Sequence, residues 1–345
     1  MFSTVKILKG LRLHSFCGAT VLAITVSLTG CGTTPEAGTP ETNSAASSPT
    51  ITPVATTAAN GKLKVVASYS VPCDLVQEVA QDKVNLQCLI DAGQDPHVYE
   101  AKPKQRQAID EANIVFYGGI HFEPSIIDMV EASKSSAPKI ALHELAVPAE
   151  KRLSLEEDGK KEEDPHVWHD VKNGIRMVQL IEENLGKIDP ANAAFYAQNA
   201  DALEEKLKKL DAWVPQQILT IPANQRRLVT THDALGYYAR AYGLKVEGTL
   251  LGVSTEEEPT AAKVNALSDG IKAAKVPTIF AELTANDKVL KTVAKEADVK
   301  ISQEPIVADG LGEKGTPQAT YLGMIESNTC IIAQGLGGKC TQFKP

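Results

Sequence analysis

Eight short apolar runs rich in β-branched residues, grouped as two sets of four, constrain this 345-residue chain more than any other feature. The first set falls at 63–69 (LKVVASY), 84–90 (VNLQCLI), 114–118 (IVFYG) and 139–143 (KIALH). The second falls at 227–231 (RLVTT), 245–251 (KVEGTLL), 278–283 (TIFAEL) and 299–303 (VKISQ). Stretches with helical spacing lie between them, at 72–81 and 103–112, then at 233–242, 259–274 and 286–297. Strands alternating with helices predict an α/β fold with parallel sheets, and two sets predict two lobes. Between the sets, Leu203, Leu207, Leu210 and Trp213 recur at helical spacing across 190–218. That segment predicts a connecting helix about 40 Å long, with Pro215 kinking its end. It separates an N-terminal lobe, 61–189, from a C-terminal lobe, 219–345, and as a rigid strut it limits hinge bending. Open α/β sheets bind ligands beyond the carboxyl ends of their strands, so a site is expected where the loops of the two lobes face each other.

The N-terminus reads as an address. Lys6, Lys9 and Arg12 stand without an acid in residues 1–30, and Phe16 to Leu28 is apolar and small, too short for a permanent membrane span. It ends Leu28-Thr29-Gly30-Cys31, which resembles the bacterial lipobox. The expectation is a lipoprotein signal peptide over 1–30, lipidation of Cys31, and a Thr/Ala/Ser/Pro-rich tether over 31–60 that buries no core. The protein is then exported and lipid-anchored at the outer face of the cytoplasmic membrane, in a periplasm or on the cell surface. A formal net charge of −8 excludes a nucleic-acid partner, and 5% aromatic residues argues against a base-stacking platform.

Cysteine usage fits that compartment. With Cys17 in the signal and Cys31 lipidated, Cys73, Cys88, Cys330 and Cys340 remain, an even number outside the cytoplasm. Of the three connectivities, the local one, Cys73–Cys88 and Cys330–Cys340, closes the shortest loops. None of the spacings suits a cysteine zinc site.

The chemistry lies in the histidines. An internal echo, Asp95-Pro96-His97-Val98 and Asp164-Pro165-His166-Val167, sits at two loops between strand and helix. In each, the histidine offers a nitrogen ligand and the aspartate stands where it can orient a ring. His232 ends the strand RLVTT, and Asp309 follows the last strand at the corresponding place. Three imidazoles and a carboxylate, two from each lobe, complete a shell for a borderline divalent cation. His169 shares a face with His166 and ranks below it; His143 reads as structural, and His121 as lining the cleft without binding metal. The run 156–164 (EEDGKKEED) reads as a solvated acidic loop.

Six segments, GQDPHVYEAKP (93–103), DPHVWHD (164–170), THDALGYYARAYGLK (231–245), GVSTEEEPT (252–260), FAEL (280–283) and ADGLGEKG (308–315), stand in an order that resembles the zinc/manganese solute-binding lipoproteins of bacterial ABC transporters, those with a long backbone helix. The resemblance covers roughly 62–340. It implies two (β/α)4 lobes joined by one helix, a metal ion between them held by His97, His166, His232 and Asp309, and delivery by a monomer to an ABC permease. Three neutral nitrogens and one carboxylate favour Zn²⁺; Mn²⁺, which prefers more oxygen ligands, is the alternative cargo. The histidine-rich loop usual in zinc members is absent, its place taken by the acidic run. A secreted zinc hydrolase using Asp309 or Glu282 as base, or an adhesin with a structural metal, are the distant alternatives; the chain has no HExxH helix.

Overall fold

The computed structural model describes residues 61–157 and 160–345. The expected signal peptide, the lipidation of Cys31 and the tether over 31–60 all lie outside them.

The first sheet is parallel, ordered β2-β1-β3-β4, with β1 at Leu63–Ala67, β2 at Val84–Cys88, β3 at Ile114–Tyr117 and β4 at Lys139–Ala141. Val65, Val66, Ala67, Ile114, Val115 and Phe116 are buried. Burial on both faces is why these strands read as unbroken apolar runs rather than alternating ones. The crossovers are α1 (Ser70–Ala80), α2 (Pro103–Glu111) and α3 (Pro124–Ala132), followed by the short α4 (Leu142–Ala146).

The run expected to be a solvated loop is instead an antiparallel hairpin. β5 (Ser154–Glu157) pairs with β6 (Lys160–Glu163), placing Glu156 opposite Lys161. Opposed charges across the ladder favour the pairing.

Next come α5 (Val171–Ile188) and α6 (Ala193–Ile218), packed along each other. α6 begins three residues later than expected, because Pro190–Asn192 forms a 3₁₀ turn. Its 26 residues span about 39 Å. Tyr196, Ala200, Leu203, Leu207, Leu210 and Val214 form its buried stripe. Pro215 lies in the last turn, and the helix runs on through it to Ile218.

The second half repeats the first. β7 (Arg227–Thr230) pairs with β8 (Lys245–Thr249), and β9 (Thr278–Ile279) with β10 (Lys300–Ile301), all parallel. The Phe280 N–H donates to the Val229 carbonyl at 2.9 Å and links the pairs, giving the order β8-β7-β9-β10. This is the order of the first sheet. The last two strands are shorter than the sequence predicts: regular β9–β10 pairing ends at Ile279 and Ile301, and further along Glu282 pairs with Ile306 as an isolated bridge. The helices are α7 (Gly236–Tyr242), α8 (Ala261–Ala274), α9 (Lys288–Ala297) and α10 (Tyr321–Gly335). α7 starts late because Ala234 N–H turns back to the His232 carbonyl.

Disulfides join Cys73 in α1 to Cys88 at the end of β2, and Cys330 in α10 to Cys340 in the tail. Among the described residues, no helix is long and apolar enough to cross a membrane.

Candidate metal centre

Four buried side chains converge, three from loops beyond strands of the parallel sheets and one from the loop after the β5–β6 hairpin. His97 lies between β2 and α2, His166 follows the β5–β6 hairpin, His232 follows β7 and Asp309 follows β10. Each offers one ligand atom, and the four atoms lie within 4.8 Å of one another. The His166 Nε2 is 3.2 Å from His97 Nε2 and 3.3 Å from His232 Nε2. Asp309 Oδ1 stands 3.1 Å from His166 Nε2, 3.2 Å from His232 Nε2 and 3.6 Å from His97 Nε2. A tetrahedral ion with metal–nitrogen bonds near 2.0–2.1 Å has donor–donor edges of about 3.3 Å. The donor set therefore fits a small divalent cation.

The echoed Asp-Pro-His segments build the same local turn twice. The His97 N–H donates to Asp95 Oδ1 at 2.9 Å, and the His166 N–H donates to Asp164 Oδ1 at 2.9 Å. These are Asx turns, in which a short carboxylate satisfies the backbone two residues on. Here the echo ends. Asp164 also accepts the His166 ring Nδ1–H at 2.8 Å, whereas Asp95 turns its second oxygen to the Thr255 hydroxyl at 2.6 Å.

His232 is held by Glu282, which accepts the N–H groups of Thr231 and His232 at 2.8 and 3.0 Å and contacts the His232 Nδ1. A carboxylate at Nδ1 fixes the tautomer that leaves Nε2 free to ligate. His166 and His232 thus point lone pairs at each other and at Asp309, an arrangement that a cation or shared protons must neutralise. Burial alone would lower the His232 pKa; the Asp309 and Glu282 charges outweigh it and raise that pKa well above 6.5. His166 is raised in the same way, with Asp164 and Asp309 overcoming burial. At His97 burial wins, and its pKa is lowered. Asp309 is held well below the ordinary carboxylate range, the His232 charge and three imidazole contacts overcoming burial.

The remaining histidines fall elsewhere. His169 is buried, and its Nε2–H donates to the Ala308 carbonyl at 2.9 Å, one residue before Asp309. With Leu311 N–H on the Ser70 hydroxyl at 2.9 Å, this pins the Asp309 loop to the N-terminal half. His143 is buried 2.8 Å from the Tyr69 hydroxyl. His121 faces a cavity of about 640 Å³ that His97 also lines, and it follows Gly119 and Ile120 in a run of three positive φ angles, 90°, 52° and 55°. Left-handed backbone at a β-branched residue such as Ile120 is strained, and such strain persists only where the surroundings hold it.

The sequence did not point to Glu282, Thr255 or His169 in these positioning roles. The sequence offers Glu282 only as a hydrolytic base; its signal is its place in FAEL (280–283).

Residues 65–335 match the family model "Zinc-uptake complex component A periplasmic". The zinc-binding protein TroA of Treponema pallidum is 36% identical over 284 residues, covering 81% of this chain and 90% of that protein. The manganese ABC transporter substrate-binding lipoprotein PsaA of Streptococcus mitis is 33% identical over 283 residues, covering 81% and 91%. The solved structure of the T. pallidum periplasmic zinc-binding protein TroA superposes with a TM-score of 0.76 at 35% identity, over 80% of this chain and 99% of that one.

Proposed function

The chain belongs to the zinc-uptake complex component A (ZnuA) family, and from that membership we propose that it captures Zn²⁺ outside the cytoplasm and hands it to an ABC permease. The observation that carries this reading is the convergence of three imidazole nitrogens and one carboxylate oxygen, all buried, within 4.8 Å. His97, His166, His232 and Asp309 are the proposed ligands. Asp164 and Glu282 hold two of the rings in the ligating tautomer. The ion is cargo rather than a resident cofactor.

Family relatives named as lipoproteins of ABC transporters support an extracytoplasmic place, and the lipobox-like Leu-Thr-Gly-Cys supports a membrane anchor at Cys31. We read the protein as a monomer with lobes at 61–189 and 219–345 joined by α6. Binding is favoured over hydrolysis because neither candidate base is free: Glu282 accepts two backbone N–H groups and faces His232, and Asp309 Oδ1 faces all three imidazoles.

Manganese is the second reading, supported by relatives such as PsaA that are named for it. Nitrogen-rich donors favour zinc. The reading is tested by zinc titration of chelator-stripped full-length protein beside His97→Ala, His166→Ala, His232→Ala and Asp309→Asn. One zinc per chain is expected in the wild type, with a steep loss of affinity in every variant. A variant that binds as the wild type does is not a ligand.

A further inference from the structure

The four proposed ligands are not held alike. His166 and His232 each direct Nδ1 to a carboxylate, Asp164 or Glu282. Among the described residues no group bonds the Nδ1 of His97, whose ring rests edge-on against Phe122 with centroids 4.9 Å apart. Of the four, His97 alone lines the cavity of about 640 Å³, whose walls include Gly119 and Ile120 on one side and Val253 and Ser254 on the other. What steadies His97 is its backbone. Asp95 takes the His97 N–H on Oδ1 at 2.9 Å and the Thr255 hydroxyl on Oδ2 at 2.6 Å. Thr255 lies 160 residues on, in the 252–260 segment beside the same cavity wall. One aspartate thus ties the loop carrying His97 to the opposing half of the molecule.

We infer that His97 is the ligand past which the metal enters and leaves, and that the Thr255–Asp95 hydrogen bond is the latch that keeps that path closed. The inference rests on the proposed metal-binding reading and adds an order of events to it. A histidine without a carboxylate partner is the least oriented and least basic of the three, so its bond to a cation is the first to break. It is also the one with space to swing into. The Thr255 hydroxyl acts at a distance from the ion, through Asp95 and the His97 backbone, so it is a positioning group rather than a ligand.

A gate held in both the loaded and the empty protein slows entry and exit together. Thr255→Val removes the hydroxyl at nearly constant shape on a half-buried residue. In stopped-flow measurements on the full-length chain, with Zn²⁺ as the probe and a chromogenic chelator in excess for release, this variant is expected to raise both the release and the association rates about tenfold. The dissociation constant should change far less, and Thr255→Ser should restore both rates. Asp95→Asn can still accept the His97 N–H, and its amide N–H can donate to the Thr255 hydroxyl in place of the lost charged acceptor; its rates should fall between wild type and Thr255→Val, and the double variant should be no faster than Thr255→Val alone. Unchanged release in Thr255→Val, or faster release with unchanged association, would overturn the latch, as would additive effects in the double variant. The thermal midpoint of the metal-free protein separates a folding defect from these results. A wild type that takes up no zinc defeats the metal-binding reading first and this one with it.

Discussion

Glu282 holds His232 at two points, accepting its backbone N–H at 3.0 Å and facing its ring Nδ1, so a residue 50 positions away decides which nitrogen of that imidazole faces Asp309. Carboxylates in this position fix ring orientation and raise ligand basicity, and losing one costs about 10–100-fold in metal affinity. Glu282→Gln is expected to weaken zinc binding within that range while leaving the stoichiometry at one. Competition against a chelator of known affinity measures it.

His169 acts on Asp309 from behind. Its Nε2–H meets the Ala308 carbonyl at 2.9 Å, and a buried hydrogen bond of this kind contributes about 1 kcal/mol. His169→Phe, which fills the space without the donor, should loosen the Asp309 loop and lower zinc affinity about fivefold. Isothermal titration of the variant checks this; an affinity loss as large as that of a ligand substitution would place His169 on the metal.

His143 sets a pH dependence of stability that can be isolated by difference. Burial, and then the neighbouring His166 charge, push its pKa from 6.5 down to about 3. The folded protein therefore refuses a proton that the unfolded chain accepts, and stability is lost as pH falls below 6.5 towards 3. Each pH unit costs about 1.4 kcal/mol. Relative to His143→Gln, which has no such titration, the metal-free wild type should lose about 2 kcal/mol between pH 6.5 and 4.5, the unfolded histidine being half protonated at the start. Urea midpoints at several pH values report the gap, and a constant gap contradicts the assignment.

The Cys330–Cys340 disulfide closes a short loop between α10 and the tail, with a sequence separation of 10. Chain-entropy reasoning puts its contribution at about 3 kcal/mol. Replacing both cysteines by serine should lower the thermal midpoint and leave zinc affinity unchanged, since neither residue approaches the four ligands.

Much of this architecture was legible because its signals are local. Buried parallel strands are short apolar runs, and the stripe from Leu203 through Leu210 announces α6 within a few turns. His97 and His166 stood out because the same tripeptide builds the same Asx turn twice. What the sequence concealed is what the two copies do differently: Asp164 reaches its own imidazole, whereas Asp95 reaches across to Thr255. Nothing local distinguishes them, since the difference is made by groups brought together only in the folded chain. The β5–β6 pairing is hidden in the sequence because its residues are charged rather than apolar.

The most direct test of the account is the metal the protein keeps under competition. Chelator-stripped full-length chain would be dialysed to equilibrium against buffered Zn²⁺ and Mn²⁺ together, and its metal content counted by mass spectrometry. Three imidazoles and one carboxylate predict one zinc per chain with manganese excluded. Manganese retained against zinc would contradict the donor-set argument for the cargo, and no stoichiometric metal at all would contradict the site itself.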